Sequence, residues 1–178
     1  RVFVTESSYG RDGLALIRII YESLNELLSM DPNYMHQRAK CYIKSARYEA
    51  DEKKKLEYLD KAYRDTNVAE QVFTRRYEEN LNEKLVISIS HVTYTMALCL
   101  CHKCNVLNYQ NAKLNEQAVE LLYKALKSPY NSYDFAKTDS FNYQNVVRKL
   151  VSTLATDASL VSMDSHPLLE ELFRIVSG

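Results

Sequence analysis

Apolar side chains recur every three or four positions along most of the chain, with charged residues between them. This spacing places the apolar residues on one face of an α-helix, whereas alternation at every second position would indicate a strand. The pattern predicts an all-α fold of about seven helices. They cover residues 13–30, 33–49, 53–80, 81–105, 115–127 and 139–156, and a short last helix begins near Pro167. In the first helix the predicted inward face consists of Leu14, Ile17, Ile20, Tyr21, Leu24, Leu27 and Leu28.

Two of these helices allow a second interpretation. Residues 53–80 fit one long helix, or two helices with a kink near residues 65–67. Residues 85–92 are rich in β-branched side chains and partly alternate, as a strand would. Because helical spacing continues through and beyond that segment and no partner strand is evident, we predict a helix at 81–105. The positions that keep the helical spacing are Leu85, Ile89, Val92, Met96 and Leu100.

Composition agrees with long helices and narrows the class of protein. Only three glycines and three prolines occur, whereas a β-sandwich needs many more turn residues. Hydrophobic residues make up 46% of the chain, which suffices for a core and argues against disorder. The 23 basic and 23 acidic residues cancel, so no overall positive field favours nucleic acid. No apolar run approaches the roughly 18 to 20 residues that span a bilayer, so no membrane partner is expected.

The four cysteines bear on the cellular compartment in which the protein is expected. Cys99, Cys101 and Cys104 are crowded together in a predicted helix, and Cys41 lies in another. A disulfide framework does not suit that arrangement, so we expect reduced thiols and a cytoplasmic protein.

Two parts of the chain resemble each other. Residues 54–63 match residues 117–126 at an offset of 63, with Glu, Leu, Lys and Ala at the same places. Upstream, residues 39–43 resemble residues 97–101 at an offset of 58, and both carry Ala-x-Cys. Each unit is then a helix with Ala-x-Cys followed by a helix with Glu-x-Leu-x-Lys-Ala. Repeated helix pairs of this kind build stacked scaffolds that bind partners.

These units resemble the tetratricopeptide repeat (TPR) superfamily, whose second helix carries a small residue, a large residue and an alanine at fixed spacing. Lys55 stands where the first unit should have its small residue, the family's first-helix signature is absent, and the repeat spacing is irregular. The resemblance implies stacked antiparallel helical hairpins that bind a protein or peptide, or another domain of the same chain, without a cofactor or catalysis. The matching positions are Ala118, Leu122, Ala125 and Pro129 in the second unit, and Leu59 and Ala62 in the first.

The resemblance also implies a division of the chain. Residues 1–12 begin with Arg-Val-Phe-Val and form an N-terminal extension, extended in conformation, or the end of a missing domain. Residues 13–138 form the TPR-like hairpins, with a polar loop at 106–114 and an irregular segment at 130–138. Residues 139–178 form a C-terminal helical pair that packs on the repeats. By analogy, the resemblance implies the C-terminal arm of a larger signalling or defence protein, and a start at Arg1 without a methionine is compatible with that expectation.

One cluster carries candidate chemistry. Cys99, Cys101, His102 and Cys104 include Cys-x-x-Cys, the spacing of half a zinc site. On a continuous helix Cys101 and Cys104 share a face while Cys99 and His102 point away from it, which favours packing over metal binding. The alternative hypothesis is a metal- or redox-responsive regulatory domain. No catalytic residue is predicted, because the chain has neither a glycine-rich phosphate loop nor His-Glu-x-x-His.

The leading hypothesis is a non-catalytic interaction module that binds its partner in a groove between hairpins. Tyrosine and basic side chains on helical faces suit recognition of a protein segment. The predicted partner-binding residues are Arg38, Lys44, Tyr48, Arg75, Arg76 and Tyr77.

Overall fold

The computed structural model describes residues 6–28, 31–128 and 143–177. Within these ranges the chain forms seven α-helices and no strand, which confirms the all-α prediction. A single helical turn, Asn25–Leu28, follows the first helix, and two 3-10 turns, Ala158–Leu160 and Met163–Ser165, precede the last. The helices are α1 (Glu6–Ser23), α2 (Pro32–Tyr48), α3 (Glu52–Glu79), α4 (Glu83–Val106), α5 (Ala112–Leu126), α6 (Tyr143–Thr156) and α7 (His166–Ser177).

The structure resolves the alternatives that the periodicity left open. α3 is a single helix of 28 residues, without a kink at residues 65–67. Residues 85–92 lie inside α4, so the strand interpretation of that segment is wrong. The extended conformation expected for residues 1–12 is wrong for residues 6–12, which are helical with a kink at Gly10. Gly10 has φ 61°, in the left-handed region that glycine adopts without strain. The loop predicted at 106–114 ends earlier, because α5 begins at Ala112.

Several predictions fall on residues that the structure does not describe. The Arg-Val-Phe-Val opening, Pro129, the irregular segment 130–138 and the first residues of the helix predicted at 139–156 lie outside the described residues.

Short polar side chains begin four of the helices. Asp31, Asp51, Asn82 and Asn111 precede α2, α3, α4 and α5, and each accepts a hydrogen bond of 2.8 to 3.1 Å from a backbone N–H in the first turn. Such caps satisfy amide groups that have no partner inside the helix, and each contributes about 1 kcal/mol. The connections between these helices are therefore short and well defined.

Consecutive helices pack on each other in a row. α1 lies on α2, α2 on α3, α3 on α4 and α4 on α5, while α6 packs on α4 and α7 packs on α5 and α6. The short connections make neighbouring helices antiparallel. The corresponding positions of the two repeat units are buried alike, with at most 1% of each residue exposed. These pairs are Ala39 and Ala97, Cys41 and Cys99, Leu59 and Leu122, and Ala62 and Ala125.

α4 lies in the middle of the row. By length and composition alone this 24-residue helix could cross a membrane, which corrects the expectation that no apolar run is long enough. Here 61% of its most apolar stretch is buried against the rest of the fold, as is usual for a helix in a protein core. The apolar character of α4 is explained by its neighbours on several sides.

The C-terminal helices are attached to α5 by polar contacts as well as by the core. The buried amide of Asn115 donates to the carbonyl oxygens of Tyr109, at 2.8 Å, and Leu160, at 2.9 Å. Near the other end of α5, the Tyr123 hydroxyl donates to Glu171 of α7 at 2.9 Å, and Lys127 pairs with the same carboxylate. α6 and α7 therefore share one core with the helices before them.

A buried ion pair joins the first three helices. The Nε and Nη2 atoms of Arg38 in α2 each donate a 2.7 Å hydrogen bond to Asp65 in α3. Arg38 also donates to Asn25, which follows α1, and to the Tyr34 hydroxyl, which in turn donates to the Tyr21 carbonyl oxygen. Burial disfavours the charged guanidinium, but the hydrogen bonds to Asp65 and its negative charge outweigh burial and raise the pKa of Arg38. The pair is held in its charged form.

Replacing Asp65 by asparagine would leave that buried guanidinium without a counter-charge. We expect Asp65→Asn to lower the free energy of unfolding by about 3 kcal/mol, measured by urea denaturation. Asp60→Asn is the matched control, because Asp60 pairs with Lys103 at 2.7 Å with 53% of its side chain exposed. That change should cost less than about 1 kcal/mol. Equal losses for the two variants would contradict the role given to Asp65.

A partly buried histidine, His36, makes stability depend on pH. His36 Nε2 lies 2.8 Å from the Thr95 hydroxyl, which itself donates to the His91 carbonyl oxygen, so the imidazole is the donor. Burial, followed by the charges of Lys40 and His91, lowers the pKa of His36 to about 3. The unfolded chain therefore takes up a proton near pH 6.5 that the folded chain does not accept, and stability falls as the pH drops from that value towards the folded pKa.

We expect His36→Gln, which keeps a donor for Thr95, to remove part of this dependence. Between about pH 7 and pH 5 the free energy of unfolding of the unmodified chain should fall by about 1–2 kcal/mol more than that of His36→Gln. Urea denaturation at both pH values measures the difference. Identical pH slopes for the two proteins would show that His36 is protonated equally in the folded and unfolded states.

Candidate functional site

The cysteine cluster is a packing feature of the core. All four thiols are free and fully buried, and Cys99, Cys101 and Cys104 lie in the main apolar cluster. Burial raises the pKa of Cys41 and of Cys104 to about 12 and raises those of Cys99 and Cys101 as well. The thiols are therefore protonated at neutral pH, while nucleophilic attack and metal ligation need the thiolate.

The cluster does not form a ligand set. Among the described residues, no group of three or more His, Cys, Asp or Glu side chains is arranged to hold a metal ion. The side chain of His102 faces a cavity that none of the cysteines lines. The four residues of the alternative hypothesis, Cys99, Cys101, His102 and Cys104, are thus not brought together at one point.

The six predicted partner-binding residues do not form one surface. Lys44 is only 1% exposed, so the expectation that it faces solvent is wrong. Arg38 is held by Asp65, and Tyr48 packs against the apolar cluster beneath α1. Arg75, Arg76 and Tyr77 lie near the end of α3, of which the two arginines are exposed and the tyrosine is half-buried.

The distance along the helices explains this separation. α3 continues for 14 residues beyond Asp65, whereas α2 extends only six residues from Arg38 back to Pro32. Because the two helices are antiparallel, the last turns of α3 extend beyond Pro32, the first residue of α2. Arg75 and Arg76 are therefore remote from Lys44 and Tyr48, which lie at the opposite end of the hairpin.

The most unusual surface of the described chain is the α1 outer face. We give this name to Leu16, Ile19, Ile20 and Leu27, which are 59%, 55%, 42% and 81% exposed. The first three follow the helical spacing of three and four residues, and Leu27 lies in the turn that follows α1. Single exposed apolar residues are common on soluble proteins, whereas a row of large aliphatic side chains on one face is unusual and makes this face a candidate interaction site.

The opposite side of α1 already has a partner. Leu14, Ile17 and Tyr21 are 4 to 6% exposed and pack in an apolar cluster with α2 and α3. A surface helix that needs only one buried face carries a single apolar stripe. α1 has two such stripes, and only one of them is covered within the described part of the chain.

An apolar cavity extends the outer face at one end. It has a volume of about 310 Å³ and lies between the end of α1 and the beginning of α2. Ile20 belongs both to the outer face and to the wall of this cavity, and Leu24 and Leu28 form more of the wall. The exposed stripe therefore continues into a depression that can accept a side chain from a docked segment.

Polar contacts bound the outer face on its other side. Arg18 pairs with Glu22 one turn along α1, and its guanidinium lies 4.9 Å from the ring centre of Tyr58 in α3. This polar side of α1 faces the groove that α1 forms with α2 and α3. The apolar stripe is therefore about one helix wide, with charged residues along its edge.

Sequence reasoning missed this surface, although the sequence contains its signal. The periodicity predicts Ile20 and Leu27 on the inward face of the first helix, but both are exposed. Leu16 and Ile19 point to the same stripe, since a helix with a single buried face has no need of them. The second apolar stripe could have been found by asking which apolar residues the inward face leaves over.

The buried thiols give a direct check on the redox alternative. We expect none of the four cysteines in the native chain to react with a thiol reagent at a rate approaching that of a free thiol, because the reactive thiolate is absent and the sulfur atoms are covered. Unfolding in urea should make all four reactive. Rapid labelling of Cys101 or Cys104 in the native chain, located by mass spectrometry, would favour the redox hypothesis instead.

Comparisons with known proteins leave the function to be argued from this geometry. The sequence matches no protein-family model and no curated protein, and no solved structure is similar to the fold.

Proposed function

We propose that this chain is a non-catalytic protein–protein interaction module of the TPR-like type, and that the α1 outer face is its docking surface. The observation that carries the proposal is the row of four exposed aliphatic side chains at Leu16, Ile19, Ile20 and Leu27. Keeping such side chains in water is unfavourable by about 1.5 to 3 kcal/mol each compared with burying them. A partner that covers the stripe gains this free energy, which is the usual basis of association.

The ligand that fits is an amphipathic α-helix of another protein. The exposed side chains have the spacing at which helices interlock, and the stripe is one helix wide. Inside the fold, neighbouring helices already pack in this way along the row from α1 to α5. A partner helix would lie on α1 much as α2 does on the opposite side, with one apolar side chain in the cavity beside Ile20.

One further feature supports the TPR-like assignment, and a second one concerns the metal- or redox-responsive alternative. Corresponding positions of the two repeat units are buried alike, as repeated hairpins require. The buried thiols and the lack of a ligand set within the described residues give no support to the metal- or redox-responsive alternative. The cytoplasmic location remains part of the proposal, and the four free thiols are compatible with it.

We expect the double variant Leu16→Asp/Ile19→Asp to bind the partner at least about 100-fold more weakly, because two carboxylates would be buried in an apolar interface. Its helix content should be unchanged, since both positions face solvent. Leu81→Asp is the matched control: Leu81 is 76% exposed in the connection between α3 and α4. Quantitative pull-down from cell extract, with circular dichroism as the folding check, measures both variants.

Two results would change this proposal. Unaltered binding by Leu16→Asp/Ile19→Asp would exclude the α1 outer face as the docking surface. The second result is a dimer of the unmodified chain that forms with increasing concentration and is absent in the double variant. It would make the occupant of the surface a second copy of the chain. Size-exclusion chromatography with light scattering measures this dimer.

A further inference from the structure

A second cavity lies away from α1, where α2, α3, α4 and α6 converge. It has a volume of about 340 Å³, within the range of small-molecule sites. We call it the basic pocket, because Arg47, Lys55 and Lys149 are its charged lining residues and no acidic side chain lines it within the described chain. His102, Asn105 and Asn145 add polar groups, and Leu59 and Val146 form apolar wall.

This concentration of positive charge contrasts with the rest of a chain whose net charge is zero. Away from the pocket, Arg38 pairs with Asp65, and Lys103 with Asp60. Lys55 and Lys149 form no ion pair or hydrogen bond with any residue of the described ranges. Like charges that converge in a cavity repel one another unless an anion binds between them.

His102 reports the same positive potential. Burial, and then the charges of Arg47 and Lys55, lower the pKa of His102 to about 4. The imidazole is therefore neutral at physiological pH and can donate or accept a hydrogen bond without adding charge. Arg47 of α2 and Lys55 of α3 therefore lie close enough to His102 of α4 for their positive charges to affect its protonation.

The charge of its lining distinguishes the basic pocket from a neighbouring cavity. The groove of about 360 Å³ beside Arg38 also contains cationic side chains, among them Lys61 and Arg64. Its lining, however, includes Glu22 and Asp65, and Asp65 already binds Arg38. An anion entering that groove would meet carboxylates, whereas in the basic pocket it would meet none from the described residues.

We propose that the basic pocket binds a small phosphate monoester, with its phosphate between Arg47, Lys55 and Lys149. Lys55 and Lys149, with Arg47 beside them, suit a group that carries close to two negative charges better than a carboxylate that carries one. Arginine can bind two phosphate oxygens at once, and lysine acts as a point charge. The two asparagine amides and the apolar wall beside Leu59 contact the body of the ester. The pocket shares no residue with the α1 outer face, so either proposal can fail without the other.

The test uses the 178-residue chain and isothermal titration calorimetry in low-salt buffer without phosphate. The probes are phenyl phosphate, inorganic phosphate and benzoate. We expect phenyl phosphate to bind with one-to-one stoichiometry and more tightly than either of the others. Lys55→Gln and Lys149→Gln should each weaken binding by about tenfold or more, as expected for loss of a charge-assisted contact.

Two sets of variants make the result specific. Lys53→Gln removes the same charge from the same helix, but Lys53 is exposed and outside the pocket lining, so binding should be unchanged. Lys149→Arg keeps the charge and should keep binding, which separates a lost contact from a disturbed fold. An equal effect of Lys53→Gln would mean diffuse attraction and overturn the proposal. Absence of phenyl phosphate binding, or equally tight binding of inorganic phosphate or benzoate, would also overturn it.

Discussion

The ion pair between Arg38 and Asp65 joins the helices against which α1, the bearer of the proposed docking surface, packs. Arg38 reaches α3 through Asp65 and the segment after α1 through Asn25, so one side chain connects three parts of the row. The Tyr34 hydroxyl adds a hydrogen bond to the Tyr21 carbonyl oxygen at the end of α1. These contacts hold α1 against α2 with its inward stripe buried, and the second stripe therefore faces outwards.

Joining helices through a buried ion pair costs desolvation free energy, because both charged groups lose their hydration. Its geometry is more specific than that of an apolar contact, since a guanidinium and a carboxylate bind in one relative orientation through two parallel hydrogen bonds. The apolar cluster beneath α1 covers Leu14, Ile17 and Tyr21 and so sets the rotation of α1 about its axis. Arg38 adds a polar contact to Asn25, just after the helix. Rotation decides whether Leu16 and Ile19 lie in the core or on the surface.

Local periodicity predicted much of this fold, and the reasons for its failures are physical. Helical spacing located all seven helices, and the repeated Ala-x-Cys and Leu-x-Lys-Ala motifs identified positions that are equally buried in both units. Lys44 was misplaced because a lysine normally indicates solvent, but α2 packs against α1, α3 and α4 and has little free surface. How many neighbours a helix has is a property of the whole fold and is not visible in one stretch of sequence.

The two candidate sites differ in how far sequence alone could reach them. The α1 outer face is local, and its surplus of apolar residues is readable within one helix. The basic pocket combines residues from four helices, from Arg47 in α2 to Lys149 in α6. No spacing rule connects side chains about 100 positions apart, so only their convergence in three dimensions reveals the pocket.

The central claim, that the α1 outer face receives a helix of another protein, is tested most directly by site-specific photo-crosslinking. A photoreactive phenylalanine analogue replaces Ile19 in one protein and Leu81 in a second, and crosslinked peptides are identified by mass spectrometry. The proposal predicts crosslinks from position 19 to one helical segment with apolar residues three and four apart, and none of these from position 81. Equal crosslinking from the two positions, or crosslinks from position 19 to unrelated segments, would contradict it.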